Sequence, residues 1–65
     1  MADREVILEF HSVGNTVKVT AIDAETLVEV SIVGPLSAGE EALKRAALHK
    51  LEYVLAKRAG SPKRT

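Results

Sequence analysis

Glu5-Val6-Ile7-Leu8-Glu9-Phe10-His11 and Thr16-Val17-Lys18-Val19-Thr20-Ala21-Ile22, joined through Ser12-Val13-Gly14-Asn15, decide the fold. Both runs alternate with a period of two. Val6, Leu8 and Phe10 fall on one face of the first, and Val17, Val19 and Ala21 on one face of the second. β-Branched residues are frequent in both, so each is expected to be a strand. A two-residue primed turn at Gly14-Asn15, with glycine supplying the positive φ, sets Phe10 opposite Val19 and Leu8 opposite Ala21. The apolar faces then coincide, and a slip of one residue would turn every side chain to the wrong side.

Working outward, residues 27–33 give a third strand with Val28, Val30 and Ile32 inward and Leu27, Glu29, Ser31 and Val33 outward. A symmetric turn over Asp23 to Thr26 would set Ala21 opposite Val28, Val19 opposite Val30 and Val17 opposite Ile32. Gly34-Pro35 should end this strand, because proline cannot extend a ladder. Ser37-Ala38-Gly39-Glu40 fits a capping box, with Ser37 as the N-cap of a helix. In that helix Leu43, Ala47, Leu48, Leu51, Val54 and Leu55 fill an arc of about 140°, suited to lying on a sheet. Glu40 with Lys44 and Glu41 with Arg45 form favourable i,i+4 pairs. Gly60 and Pro62 stop the helix, leaving residues 61–65 as a flexible basic tail. The expected fold is α+β: a three-stranded antiparallel β-meander with one C-terminal helix packed on one face (β-β-β-α), a single domain over residues 1–60.

Composition bounds the function. The chain has 65 residues, is 46% hydrophobic, carries zero formal net charge and contains no cysteine. A chain of this size buries only about 60% of the surface its unfolded form exposes, with no disulfide to staple it. The charged start and the absence of a long apolar run argue against a signal core or a membrane span, so cytoplasmic residence is expected.

Catalytic material is scarce. Gly-x-Ser-x-Gly does not occur, the histidines are only His11 and His49, and a sheet carrying one helix has no deep cleft, so no enzyme is expected. In the register above Glu9 and Glu29 flank Thr20, about 9.5 Å apart, too wide for one ion; no metal or cofactor is expected. His11 and His49 read as solvated residues.

Charge is unevenly distributed: residues 1–41 hold eight acids against two bases, and residues 42–65 seven bases against one acid. Helix-dipole complementarity accounts for part of this. Lys50, Tyr53 and Lys57 on one helical stripe, with Lys63 and Arg64 beyond it, form the alternative surface, one for weak contact with nucleic-acid phosphate. The strand-strand-strand-helix order with Ala42, Ala46 and Ala47 resembles the last two-thirds of a double-stranded RNA-binding domain. That family grips phosphates with lysines where this chain has Glu40 and Glu41, so duplex-RNA binding is rejected.

A resemblance covering nearly the whole chain is carried by Val13-Gly14-Asn15-Thr16-Val17-Lys18-Val19, Ala21-Ile22-Asp23, Glu29-Val30-Ser31-Ile32-Val33-Gly34-Pro35 and Ala46-Ala47-Leu48-His49-Lys50-Leu51-Glu52-Tyr53-Val54-Leu55. These segments resemble a small alphaproteobacterial family of unknown function, implying a stand-alone cytoplasmic domain with no catalytic residues to carry over. The surface itself suggests protein contact. Ile7, Ile22 and Leu27 are expected as an apolar row on the uncovered face, with Val33 outward on the third strand, whose free edge offers a second route to a homodimer.

Overall fold

Two hairpins and a helix make up the chain. The computed structural model describes residues 5–60, with side chains over residues 5–58. Strands β1 (Val6–Val13), β2 (Thr16–Asp23) and β3 (Glu29–Pro35) form one antiparallel sheet in the order β1-β2-β3, and helix α1 (Glu40–Gly60) follows a single 3-10 turn at Leu36–Ala38. The expected β-β-β-α architecture is the one observed.

The first hairpin has the expected register, with Phe10 opposite Val19 and Leu8 opposite Ala21. Gly14 takes φ +61° and Asn15 has no positive φ, the pattern of a type II′ turn whose twist matches that of the strands it joins.

The second hairpin differs from expectation by two residues: Ala21 lies opposite Val30, Val19 opposite Ile32 and Val17 opposite Gly34. The cause is local. The buried Asp23 carboxylate accepts from the Thr26 N–H at 2.9 Å and the Thr26 hydroxyl at 2.8 Å, while the Leu27 N–H donates to the Asp23 carbonyl at 2.8 Å. Asp23 then pairs with Val28 rather than Thr26, its N–H donating to the Val28 carbonyl at 2.9 Å. Leu27 is drawn out of the strand into the left-handed region at φ 65°. A shift of two preserves parity, so the inner face survives while the cross-strand rows change.

β3 also runs further than expected, through Gly34 and Pro35, which lies opposite Thr16. Proline is tolerated there because its ring nitrogen faces the outer side of an edge strand. α1 begins at Glu40, and the Leu43 N–H donates to the Gly39 carbonyl at 3.1 Å, which makes Gly39 the N-cap. Ser37 is therefore not the helix cap: it lies within the 3-10 turn. Lys44 pairs with Glu41 at 3.0 Å, an i,i+3 contact in place of the expected i,i+4 pairing with Glu40.

Val17, Val19, Ala21, Val30, Leu43, Ala47 and Leu51 form the buried core, with Val6, Leu8, Val28, Ile32, Val54 and Leu55 packed around it. α1 rests on β2 and β3. A helix is about 10–12 Å across and strands are about 4.8 Å apart, so one helix covers two strands of a three-stranded sheet. The third, β1, is left bare on both sides of its outer half.

Candidate interaction surfaces

Four surfaces carry the residues singled out from the sequence: the uncovered sheet face, the two sheet edges and the basic stripe of α1.

On the uncovered face the register sets three rows: Ile7, Ile22 and Glu29; Glu9, Thr20 and Ser31; His11, Lys18 and Val33. Ile7 and Ile22 are brought together as expected. Leu27 is not, since it sits in the loop and Glu29 occupies its place in the row. Val33 does face outward and is 65% exposed. The Thr20 and Ser31 hydroxyls lie 3.1 Å apart across β2 and β3, tying the middle row together. The apolar surface is therefore split, with Ile7 and Ile22 at one end, Val13 and Val33 at the other, and polar residues between them.

The edges are unlike each other. Backbone groups alternate along a strand between the two sides. In β3 the Leu36 N–H donates to the Asn15 carbonyl and the Val28 carbonyl accepts from Asp23, so Glu29, Ser31, Val33 and Pro35 turn their backbone groups outward. Two features blunt that edge: Lys50 reaches across and donates from Nζ to the Ser31 carbonyl at 3.0 Å, and Pro35 has no N–H to offer. β3 was the edge favoured by the sequence, and the structure turns attention to the other one.

In β1 the Ala24 N–H donates to the Glu5 carbonyl, so the odd-numbered residues bond to β2 and Val6, Leu8, Phe10 and Ser12 point their N–H and C=O groups off the sheet. No proline lies in this strand, Glu9 is its one Asp, Glu, Lys or Arg side chain, and α1 packs mainly on β2 and β3. Phe10, expected in the core, is on the inner face but 38% exposed and absent from the core cluster. It borders two open depressions. One of about 180 Å³ is lined by Phe10, Ser12, Val17, Leu36, Glu40 and Leu43, and one of about 280 Å³ by Phe10, Glu40, Glu41 and Lys44. Sequence reasoning placed Phe10 by its parity alone; the signal for its exposure was the strand order, which leaves β1 outermost and only partly covered by a single helix.

On α1, Lys57 Nζ stands 5.7 Å from the centroid of the Tyr53 ring, a cation–π contact on a ring that is itself exposed. With Lys50 held at the sheet edge, the stripe is partly engaged within the fold. Lys63, Arg64 and the expected basic tail lie outside the described residues. Among the described residues no group of three or more histidine, aspartate or glutamate side chains is placed to hold a metal ion, and no helix is long and apolar enough to cross a membrane.

Comparison with curated proteins and with solved structures gives no significant match. A family model described as a domain of unknown function, DUF6898, matches residues 3–58, which takes in all three strands and α1 as far as Arg58. On that coverage the chain belongs to the DUF6898 family.

Proposed function

We propose that this chain is a small cytoplasmic protein-interaction module, not an enzyme, and that it binds protein through the bare edge of β1 and the sheet surface beside it. The observation that carries this reading is the combination of four outward-pointing backbone positions, Val6, Leu8, Phe10 and Ser12, with an exposed Phe10 beside them. Strand addition at such an edge draws affinity from main-chain hydrogen bonds and specificity from alternate side-chain pockets. Ile7 and Ile22 extend the apolar surface onto the other face of the same strand pair.

The second reading is weak nucleic-acid binding through Lys50, Tyr53, Lys57, Lys63 and Arg64. The run of basic residues on and beyond one helical stripe favours it, and the contacts of Lys50 with Ser31 and of Lys57 with Tyr53 weigh against it. Affinity capture from cells at two salt concentrations separates the two. A protein retained by the wild type and lost from Phe10→Lys supports the interaction reading; retention of nucleic acid alone, falling steeply as salt rises, overturns it.

A further inference from the structure

We propose that the occupant of the β1 edge is a second copy of this chain, paired antiparallel about a two-fold axis through Phe10, so that two sheets join into one of six strands. This rests on the interaction reading above and names its partner. A two-fold antiparallel pairing sets a strand against itself, so the candidate registers are few and each can be judged by its opposing side chains.

With the axis through Glu9, two glutamates face each other directly, and like charges opposite one another destabilise a sheet. With the axis through Leu8, Ile7 falls opposite the partner's Glu9, and Val13 passes beyond the end of the partner's β1, which starts at Val6. With the axis through His11, the partner's Val13 meets Glu9 and the two histidines meet each other.

Of these axes, the one through Phe10 sets no like charges opposite each other and leaves no apolar residue of the uncovered face opposite a charged one. Ile7 meets the partner's Val13, two exposed apolar residues at 48% and 65%. Glu9 meets the partner's His11 and His11 the partner's Glu9, giving an acceptor and a donor at both ends. Phe10 meets the partner's Phe10 on the inner face, and Leu8 the partner's Ser12. Glu9 and His11 belong to the positions whose backbone bonds turn inward to β2, so across the new seam they form non-hydrogen-bonded pairs, where opposing side chains approach most closely.

Leu8, Phe10 and Ser12 are outward-pointing positions, so the seam gains about six main-chain hydrogen bonds over a length of about 24 Å. The two helices lie on the same side of the joined sheet, each packed mainly on its own β2 and β3, with the start of each helix beside its own Phe10.

Sedimentation equilibrium of the full chain from micromolar to millimolar concentration tests the proposal, together with residue-resolved amide exchange. The expected result is a concentration-dependent dimer in which the amides of Leu8, Phe10 and Ser12 gain protection while those of Glu29, Ser31 and Val33 do not. His11→Glu, which sets like charges opposite each other twice, should weaken the dimer at least tenfold. Adding Glu9→Lys to it should restore the dimer. The unfolding midpoint of each variant confirms that the fold persists, since both side chains are exposed. A monomer at all concentrations overturns the proposal, as does a dimer that His11→Glu leaves intact. A monomeric chain that still captures a partner overturns the pairing alone, whereas a dimer that captures nothing supports the pairing and removes only the wider reading.

Discussion

At the scale of single residues, Leu27 is the position where local chemistry and local conformation disagree. Its φ of 65° is a region that a β-carbon disfavours by about 1–2 kcal/mol, and at 73% exposure little packing offsets that cost. Leu27→Gly should therefore raise stability by about 0.5–1 kcal/mol, read as a higher urea midpoint with an unchanged slope. Asp23 explains why the strain persists: its buried carboxylate holds both the amide and the hydroxyl of Thr26 and so fixes the loop that leads into Leu27. Thr26→Val removes one of those donors and should cost about 1–3 kcal/mol in thermal or urea unfolding. Nothing in the composition of Ala24-Glu25-Thr26-Leu27 announces a left-handed residue, because glycine and asparagine, its usual markers, are both missing. For that reason the second hairpin was legible in its facing but not in its pairing, whereas Gly14 made the first legible in both.

At the scale of elements, the join between β3 and α1 is governed by two glycines rather than by a serine cap. Gly39 has φ 91° and ψ 146°, a conformation essentially reserved for glycine, and its carbonyl accepts the first helical bond. Gly39→Ala should cost about 1–3 kcal/mol, while Ser37→Ala should change the urea midpoint by less than about 0.5 kcal/mol equivalent. The Ser-x-x-Glu spacing suggested the reverse, and it misled because Gly39, standing inside the apparent motif, breaks the chain's helical path before Glu40. Gly34 works by size. A β-carbon there would run into the Leu43 side chain, which packs where β3 passes beneath the start of α1. Gly34→Ala should destabilise by about 1–3 kcal/mol through overpacking, and the double variant with Leu43→Ala should lose less than the sum of the two single losses. The helix itself was legible from its apolar arc, since Leu43, Ala47 and Leu51 are the residues it buries.

At the scale of the whole molecule, what the sequence left unreadable is coverage. Alternation tells which face of a strand is apolar, yet not how fully a helix covers it, and α1 packs mainly on β2 and β3, leaving Phe10 part-exposed. That single geometric fact moves the candidate site from Leu27 and the β3 edge to Phe10 and the β1 edge. Charge was easier to read than its consequence. The acidic and basic halves of the chain are evident, but Lys50 turns toward the sheet and Lys57 onto Tyr53. Fluorescence anisotropy with labelled single-stranded and duplex oligonucleotides should accordingly detect, at low salt, only weak binding, about micromolar or poorer, indifferent to sequence and lost by about 200 mM salt.

Lys50 also bears on how many neighbours such a sheet can accept. A sheet open along both edges adds copies end to end without limit, and its product is a filament; a sheet with one open edge stops after a single addition. By holding the Ser31 carbonyl from above, with Pro35 blank further along, Lys50 makes β3 a terminus. In the proposed pairing its ammonium would hold the valence of the chain at one, and Lys50→Ala would raise that valence toward two, visible as a drift in scattered light toward ever larger species in place of a finite mass.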